Sequence, residues 1–164
     1  LGLYLHSYME SSFRSAHFVA WSLLAGSLLM YLADRFGEQN KELSVRRGLG
    51  IGFFQALALF PGFSRSGGTI SGGLFLGLTR EMATRFSFLL SVPIILGSGA
   101  KEFLSLNQSG AIDGLGIPLL IGSITAFISG VIAIHFLINY LKTHSLKPFI
   151  WYRVILAVAI LLLV

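Results

Sequence analysis

Ser64, Arg65, Ser66 and Thr69 stand close together in the chain, just after Pro61-Gly62 and around Gly67-Gly68. A guanidinium fork matches paired phosphate oxygens and hydroxyls donate to the same anion, so this set suits a phosphorylated ligand. Proline cannot continue a helix and restricts Phe60 before it, while Gly62 reaches backbone angles closed to other residues. A helix arriving from residue 48 is therefore expected to stop here, and a second to begin near Ser66. Its first amides, at residues 66–69, would point into the break, where a helix N-terminus attracts phosphate. Arg65, Ser66, Gly67, Gly68 and Thr69 are thus the expected phosphate cradle, and Ser64, Arg65 and Thr69 the catalytic candidates. Ser64 is either a nucleophile or a hydrogen-bond donor. No general base lies near it in sequence, and an unassisted serine is weak.

Two apolar runs, 48–60 and 66–79, must position this stretch. Neither reaches the roughly 20 residues that a spanning helix needs. An exposed interhelical loop would leave both short runs unexplained. A break buried between two half-length helices accounts for them, and it is tolerated in a bilayer where protein or a water-filled cavity covers it. Arg65 then lies at membrane depth, where an ionisable side chain is a functional candidate by default. Gln55, the one strongly polar side chain of the first run, either lines the cavity or bonds a neighbouring helix.

The composition places the chain in the membrane class: 54% of residues are hydrophobic and 12% charged, against about 25% charged in soluble domains. The expected fold is all-α, a polytopic integral membrane protein with a broken, re-entrant helix hairpin carrying the site. Residues 1–164 form a single transmembrane domain in this reading. The net charge of +5 is spread through connectors and not clustered with aromatics, so lipid headgroups are the expected counterpart and nucleic acid is not. With no cysteine, a cysteine nucleophile and a thiolate metal site are excluded. Residues 1–16 lack the unbroken apolar core of a secretory signal.

Spans are expected at 17–33, at 82–100 with a kink at Pro93, at 117–141 and at 150–164. His17 sits at the edge of the first, as an interfacial residue. Residues 101–116, rich in Gly, Ser and Asn, read as an external loop. Gly122, Ala126 and Gly130 are spaced for close helix contact, as are Gly48 with Gly52 and Gly68 with Gly72. Trp151, Tyr152 and Arg153 read as interface anchors. Basic residues concentrate in three connectors, with Arg35, Lys41, Arg46 and Arg47 in the first, Arg80 and Arg85 in the second, and Lys142, Lys147 and Arg153 in the third; residues 101–116 hold Lys101 alone. A hairpin that enters and returns on one side puts all three basic groups on the cytoplasmic face, as the positive-inside tendency requires. A single crossing would split them.

The segment Pro61-Gly62-Phe63-Ser64-Arg65-Ser66-Gly67, followed by Thr69, resembles the P-G-x-S-R-S-G-x-T signature of the undecaprenyl-diphosphate phosphatase family of the bacitracin-resistance type. The likeness extends to residues 55–59, 73–78 and 85–91, to His144-Ser145-Leu146 and to Tyr152-Arg153, and so covers nearly the whole chain. It implies hydrolysis of a polyprenyl diphosphate to the monophosphate carrier of peptidoglycan synthesis, in a bacterial cell membrane. Members also carry an N-terminal motif of paired glutamates and a Ser-Ser-Thr-Gly-His run, which has no match here; Glu10-Ser11-Ser12 with His17 is only a faint echo. The chain opens at Leu1, and the expectation is the C-terminal part of a longer protein, inactive alone. A divalent cation, magnesium or calcium, is implied by the resemblance through those missing residues, with no metal ligand in this chain. The sequence sets no oligomeric state.

Other classes are weighed on the same residues. A lipid phosphatase signature of Ser-Arg, five residues, His, three residues and Asp fails because those later positions hold Ser71 and Phe75, and a nucleotide-binding loop fails for want of Gly-Lys-Ser/Thr. A transporter of polyprenyl phosphate remains the alternative, since broken helices aimed at an anion also build transporters. A non-catalytic membrane scaffold is the third reading.

Overall fold

The computed structural model describes residues 15–38, 40–110 and 112–164, with the backbone alone at 112–115. Glu10, Ser11 and Ser12 lie outside the described residues. Among the described residues six α-helices follow one another: α1 Ala16–Phe36, α2 Val45–Gln55, α3 Arg65–Phe75, α4 Arg80–Gln108, α5 Ile112–Thr143 and α6 Lys147–Leu163, with a 3-10 turn at Ala56–Leu59 after α2. Hydroxyl caps fix four of the starts. Ser15, Ser44, Ser64 and Thr79 each accept the amide three residues on, which satisfies one of the orphan donors of a helix N-terminus.

Helix α1 and the bodies of α4 and α5 are long and apolar enough to cross a membrane. At 1.5 Å per residue the 21 residues of α1 reach about 31 Å, the thickness of a hydrocarbon core. The 11 residues each of α2 and α3 reach about half of that. Large apolar side chains along α4 and α5, among them Leu89, Leu96, Ile121 and Phe127, are exposed and suit contact with lipid chains. The chain is thus an all-helical, multi-pass membrane protein.

Between α2 and α3 the chain is non-helical over residues 60–64. Both feet of this broken hairpin stand at one end of the molecule. The Arg80 Nε donates to Asp34 Oδ1 at 2.6 Å, joining the start of α4 to the end of α1, and the Lys41 amide donates to the Gly77 carbonyl at 2.9 Å. Lys142, at the end of α5, reaches Glu81 at 3.8 Å. The hairpin therefore enters and returns on the same side, and the three basic connectors converge there. Gly77 ends α3 with φ +92°, a left-handed conformation that suits glycine.

Helix α3 is the buried centre of the hairpin, packed against α1, α2 and α4. Ile70 and Leu74 of α3 join Met30 and Ala33 of α1, Ala83 of α4, Leu141 of α5 and Ile150 of α6 in one core, and Ala20, Leu23 and Ala157 form a smaller one between α1 and α6.

Three expectations are corrected. Residues 101–116 are not an external loop: α4 continues to Gln108, and α5 starts at Ile112. In hydrocarbon a helix satisfies its own backbone, and Ser109 of this region, like Ser98 just before it, donates its hydroxyl to a carbonyl of its own helix, Ser109 to Leu106 and Ser98 to Ile95. Gly122 and Gly130 make no close helix contact, since a Cβ added at either would meet nothing within 4 Å. Arg153 is no interface anchor. It is 8% exposed, whereas Trp151 and Tyr152 are 63% and 66% exposed.

Candidate functional site

Ser64 caps α3 from an unusual backbone conformation. Its φ of 76° makes it the only non-glycine residue with positive φ among the described residues. Such a conformation costs on the order of 1–3 kcal/mol in an L-residue and persists only where its surroundings impose it. Here Pro61 ends the preceding turn, Gly62 at φ +90° lies so close to α1 that a Cβ would fall 2.6 Å from the Val19 carbonyl oxygen, and the chain must turn back into α3. The result places the Ser64 Oγ over the first turn, where it accepts the Gly67 amide at 3.2 Å. The Gly68 amide donates to the Ser64 carbonyl at 3.0 Å. The open amides are those of Arg65 and Ser66, one register earlier than the sequence suggests, because α3 begins at Arg65.

Arg153 holds the break from the other side. Its Nη2 donates to the carbonyls of Gly62 and Phe63, both at 2.9 Å, and its Nε donates to Ser27 Oγ at 3.3 Å. Gly26 makes room for it, since a Cβ there would sit 2.5 Å from Nη2. Carbonyls freed by the end of a helix need donors in a membrane interior, and this guanidinium supplies them while adding a positive charge beside Ser64.

Two cavities flank the start of α3, and Ser66 lines both. The larger, of about 210 Å³, is lined by Ser64, Ser66, Gly67 and Arg153 together with apolar side chains such as Leu137, Leu141 and Phe149. The smaller, of about 160 Å³, is lined by Arg65, Ser66, Ser87, Phe88 and Ser91. Arg65 is half-buried and has no acidic partner among the described residues. One cavity combines polar and cationic groups with hydrocarbon, and the other collects an arginine and three hydroxyls.

Ser64, Ser66 and Gly67 are brought together around the first cavity, and Arg65 with Ser66 around the second. Thr69 lines neither. It is 1% exposed, and its hydroxyl bonds the Ser87 hydroxyl at 2.5 Å and the carbonyls of Arg65 and Ser66. Gly68 lines neither as well and packs under Phe54, whose carbonyl oxygen would be 3.1 Å from an added Cβ. Gln55 is half-buried at the end of α2 and lines none of the cavities described. Ser87 and Ser91 are residues to which the sequence assigned no role, and Arg153 is one it placed at the interface. The spacing of Thr84, Ser87 and Ser91 along one face of an apolar helix is a signal that could have found the serines.

No group of three or more His, Asp or Glu able to hold a metal exists among the described residues. Asp34 is committed to Arg80, and Glu81 to Arg85 at 2.8 Å. The described side chains do not fit a divalent cation.

A multi-pass helical protein whose re-entrant hairpin is broken at a serine-capped helix start flanked by two arginines is the class that fold and site define. The chain belongs to the bacitracin resistance protein BacA family, whose model matches residues 1–159. It is similar to the undecaprenyl-diphosphatase of Micrococcus luteus, 43% identical over 95% of this chain and 58% of that protein. Likewise, the undecaprenyl-diphosphatase of Arthrobacter sp. is 40% identical over 99% of this chain and 59% of its own length, and that of a Nostoc species 42% over 96% and 50%. The chain thus spans between half and three-fifths of the length of these curated relatives.

Proposed function

We propose that the protein of which these residues form the site hydrolyses a polyprenyl diphosphate to the monophosphate and inorganic phosphate, returning the lipid carrier to peptidoglycan synthesis. The observation that carries this reading is the larger cavity, which Ser64, Ser66 and Arg153 line together with apolar side chains fit for a prenyl chain. The names of the three relatives, each an undecaprenyl-diphosphatase, support the same reaction.

In the proposed reaction water attacks the terminal phosphorus, the bond to the bridging oxygen breaks, and the electron pair leaves with the prenyl phosphate. Negative charge gathers on the equatorial and bridging oxygens, and fixed donors aimed at them lower the barrier. Arg65, with the free amides of Arg65 and Ser66, supplies donors at one side of the helix start, and Arg153 adds charge at the other. Ser64 accepts the Gly67 N–H and keeps its own O–H to donate. No carboxylate or imidazole among the described residues bonds it, which favours the donor role over nucleophilic attack. Thr69, turned inward onto Ser87, acts by holding the first turn of α3. The Arg35, Arg80 and Lys147 end faces the cytoplasm of a bacterial cell in this reading.

Phosphate release from a short-chain polyprenyl diphosphate, measured for the full protein in detergent with and without magnesium or calcium, tests the proposal. Turnover is expected, and it is expected to be lost in Arg65→Lys while helical content is kept. Movement of the intact diphosphate across vesicles without phosphate release would overturn it.

A further inference from the structure

A second pair of cavities lies at the basic end of the molecule and shares no residue with those around α3. One, of about 170 Å³, is lined by Tyr31, Asp34, Arg35, Arg80, Ser145 and Lys147. The other, of about 440 Å³, is lined by Tyr31, Lys147, Ile150, Trp151 and Val154. Tyr31 and Lys147 line both, so the two are neighbours. The larger by itself falls within the size range of small-molecule sites.

Their chemistry is divided. The smaller cavity brings three cations to one acid, and that acid is already bound to Arg80. Arg35 and Lys147 have no acidic partner among the described residues. Lys147 is also the first residue of α6, whose start has no side-chain cap, so the helix adds its positive end to the same place. In the larger cavity Lys147 is the sole charged side chain, and Ile150, Trp151 and Val154 follow α6 toward the apolar interior. Trp151 and Tyr31 are exposed at its rim, as ring systems at the headgroup level are. An excess of positive charge that opens onto a hydrocarbon groove calls for an anionic amphiphile, and basic pockets between membrane helices bind phosphate headgroups.

We propose that these adjacent cavities hold an anionic glycerophospholipid of the surrounding bilayer, its phosphate among Arg35, Arg80 and Lys147 and an acyl chain along Ile150, Trp151 and Val154. The lipid bridges the end of α1 and the start of α6, the two helices between which Arg153 reaches the break. The site is independent of the proposed hydrolysis, because none of its residues lines the cavities at α3.

The test is binding and thermal unfolding of the full protein in detergent, titrated with phosphatidylglycerol, phosphatidylcholine or inorganic phosphate. Phosphatidylglycerol is expected to bind and raise the unfolding midpoint, with phosphatidylcholine and inorganic phosphate giving little. In the double variant R35Q/K147Q binding is expected to weaken about thirtyfold, since each surface cation contributes roughly fivefold. W151A removes contact with the chain and weakens binding less. Equal binding of phosphatidylcholine, or a thirtyfold-neutral result in a double variant with unchanged helical content, would overturn the proposal. Saturation by inorganic phosphate at the same concentration as the lipid would also overturn it, by making this a site for the free anion. If the double variant fails to fold, the preference of the unaltered protein among the three ligands decides.

Discussion

Helices α3 and α5 both carry small residues four apart in an apolar setting, Gly68 and Gly72 in α3 and Gly122, Ala126 and Gly130 in α5, yet their surroundings are opposite. At Gly72 of α3 an added Cβ would lie 2.6 Å from the ring of Phe54, and at Gly73 it would lie 2.7 Å from the Cβ of Ala83. At Gly122 and Gly130 of α5 it would meet open space. Spacing of this kind gives a flat surface that permits close approach. Whether anything approaches is decided by the rest of the chain. Helix α3 is drawn inward by a hairpin fixed at its feet and at its break, whereas α5 packs on α4 and presents its remaining face outward.

The contrast is sharpest where α3 begins. Arg153→Met should be the most damaging change, because it leaves the carbonyls of Gly62 and Phe63 without donors in an apolar interior. A loss of about 3 kcal/mol in stability is expected, together with most of the activity, from chemical unfolding and phosphate release. Retention of both would separate the break from α6 and remove the reason for the burial of α3. Arg65→Lys should leave stability unchanged and lower kcat/KM by on the order of a hundredfold, since a point charge does not reproduce a two-pronged contact. Near-normal turnover would make Arg65 structural.

Gly72→Ala probes the packed face. The ring of Phe54, on α2, stacks on Phe75 with centroids 6.1 Å apart, so a loss of about 2 kcal/mol is expected from chemical unfolding. Gly130→Ala, on the open face, should lie within about 0.5 kcal/mol of the parent and is the control for the comparison. A large loss at Gly130 with none at Gly72 would reverse the assignment of the two faces.

Much of the hairpin could be read from residue types. Pro61-Gly62 between two runs too short to span allows few other arrangements, and the basic connectors fix which ends meet. The start of α3 was legible only to within a residue, because Ser64 adopts a left-handed φ that no serine announces. Arg153 follows a Trp-Tyr pair that matches an interfacial girdle, and its burial depends on Gly26 and Ser27, far away in sequence on α1. A glycine beside a serine in the middle of the first span was the available sign. Residues 101–116 misled because composition stands in for solvent exposure, and in lipid a serine can serve a helix by bonding its own turn.

The clasp of Arg153 on the break also sets an order of events during synthesis. The carbonyls of Gly62 and Phe63 emerge from the ribosome some ninety residues before their donor, which arrives on α6. Until then the hairpin has its half-length helices but an unsatisfied tip, a poor candidate for staying at depth in hydrocarbon. Maturation of the proposed phosphate cradle is therefore coupled to insertion of α6, and a chain halted before that helix would hold the signature residues without the geometry that brings them together.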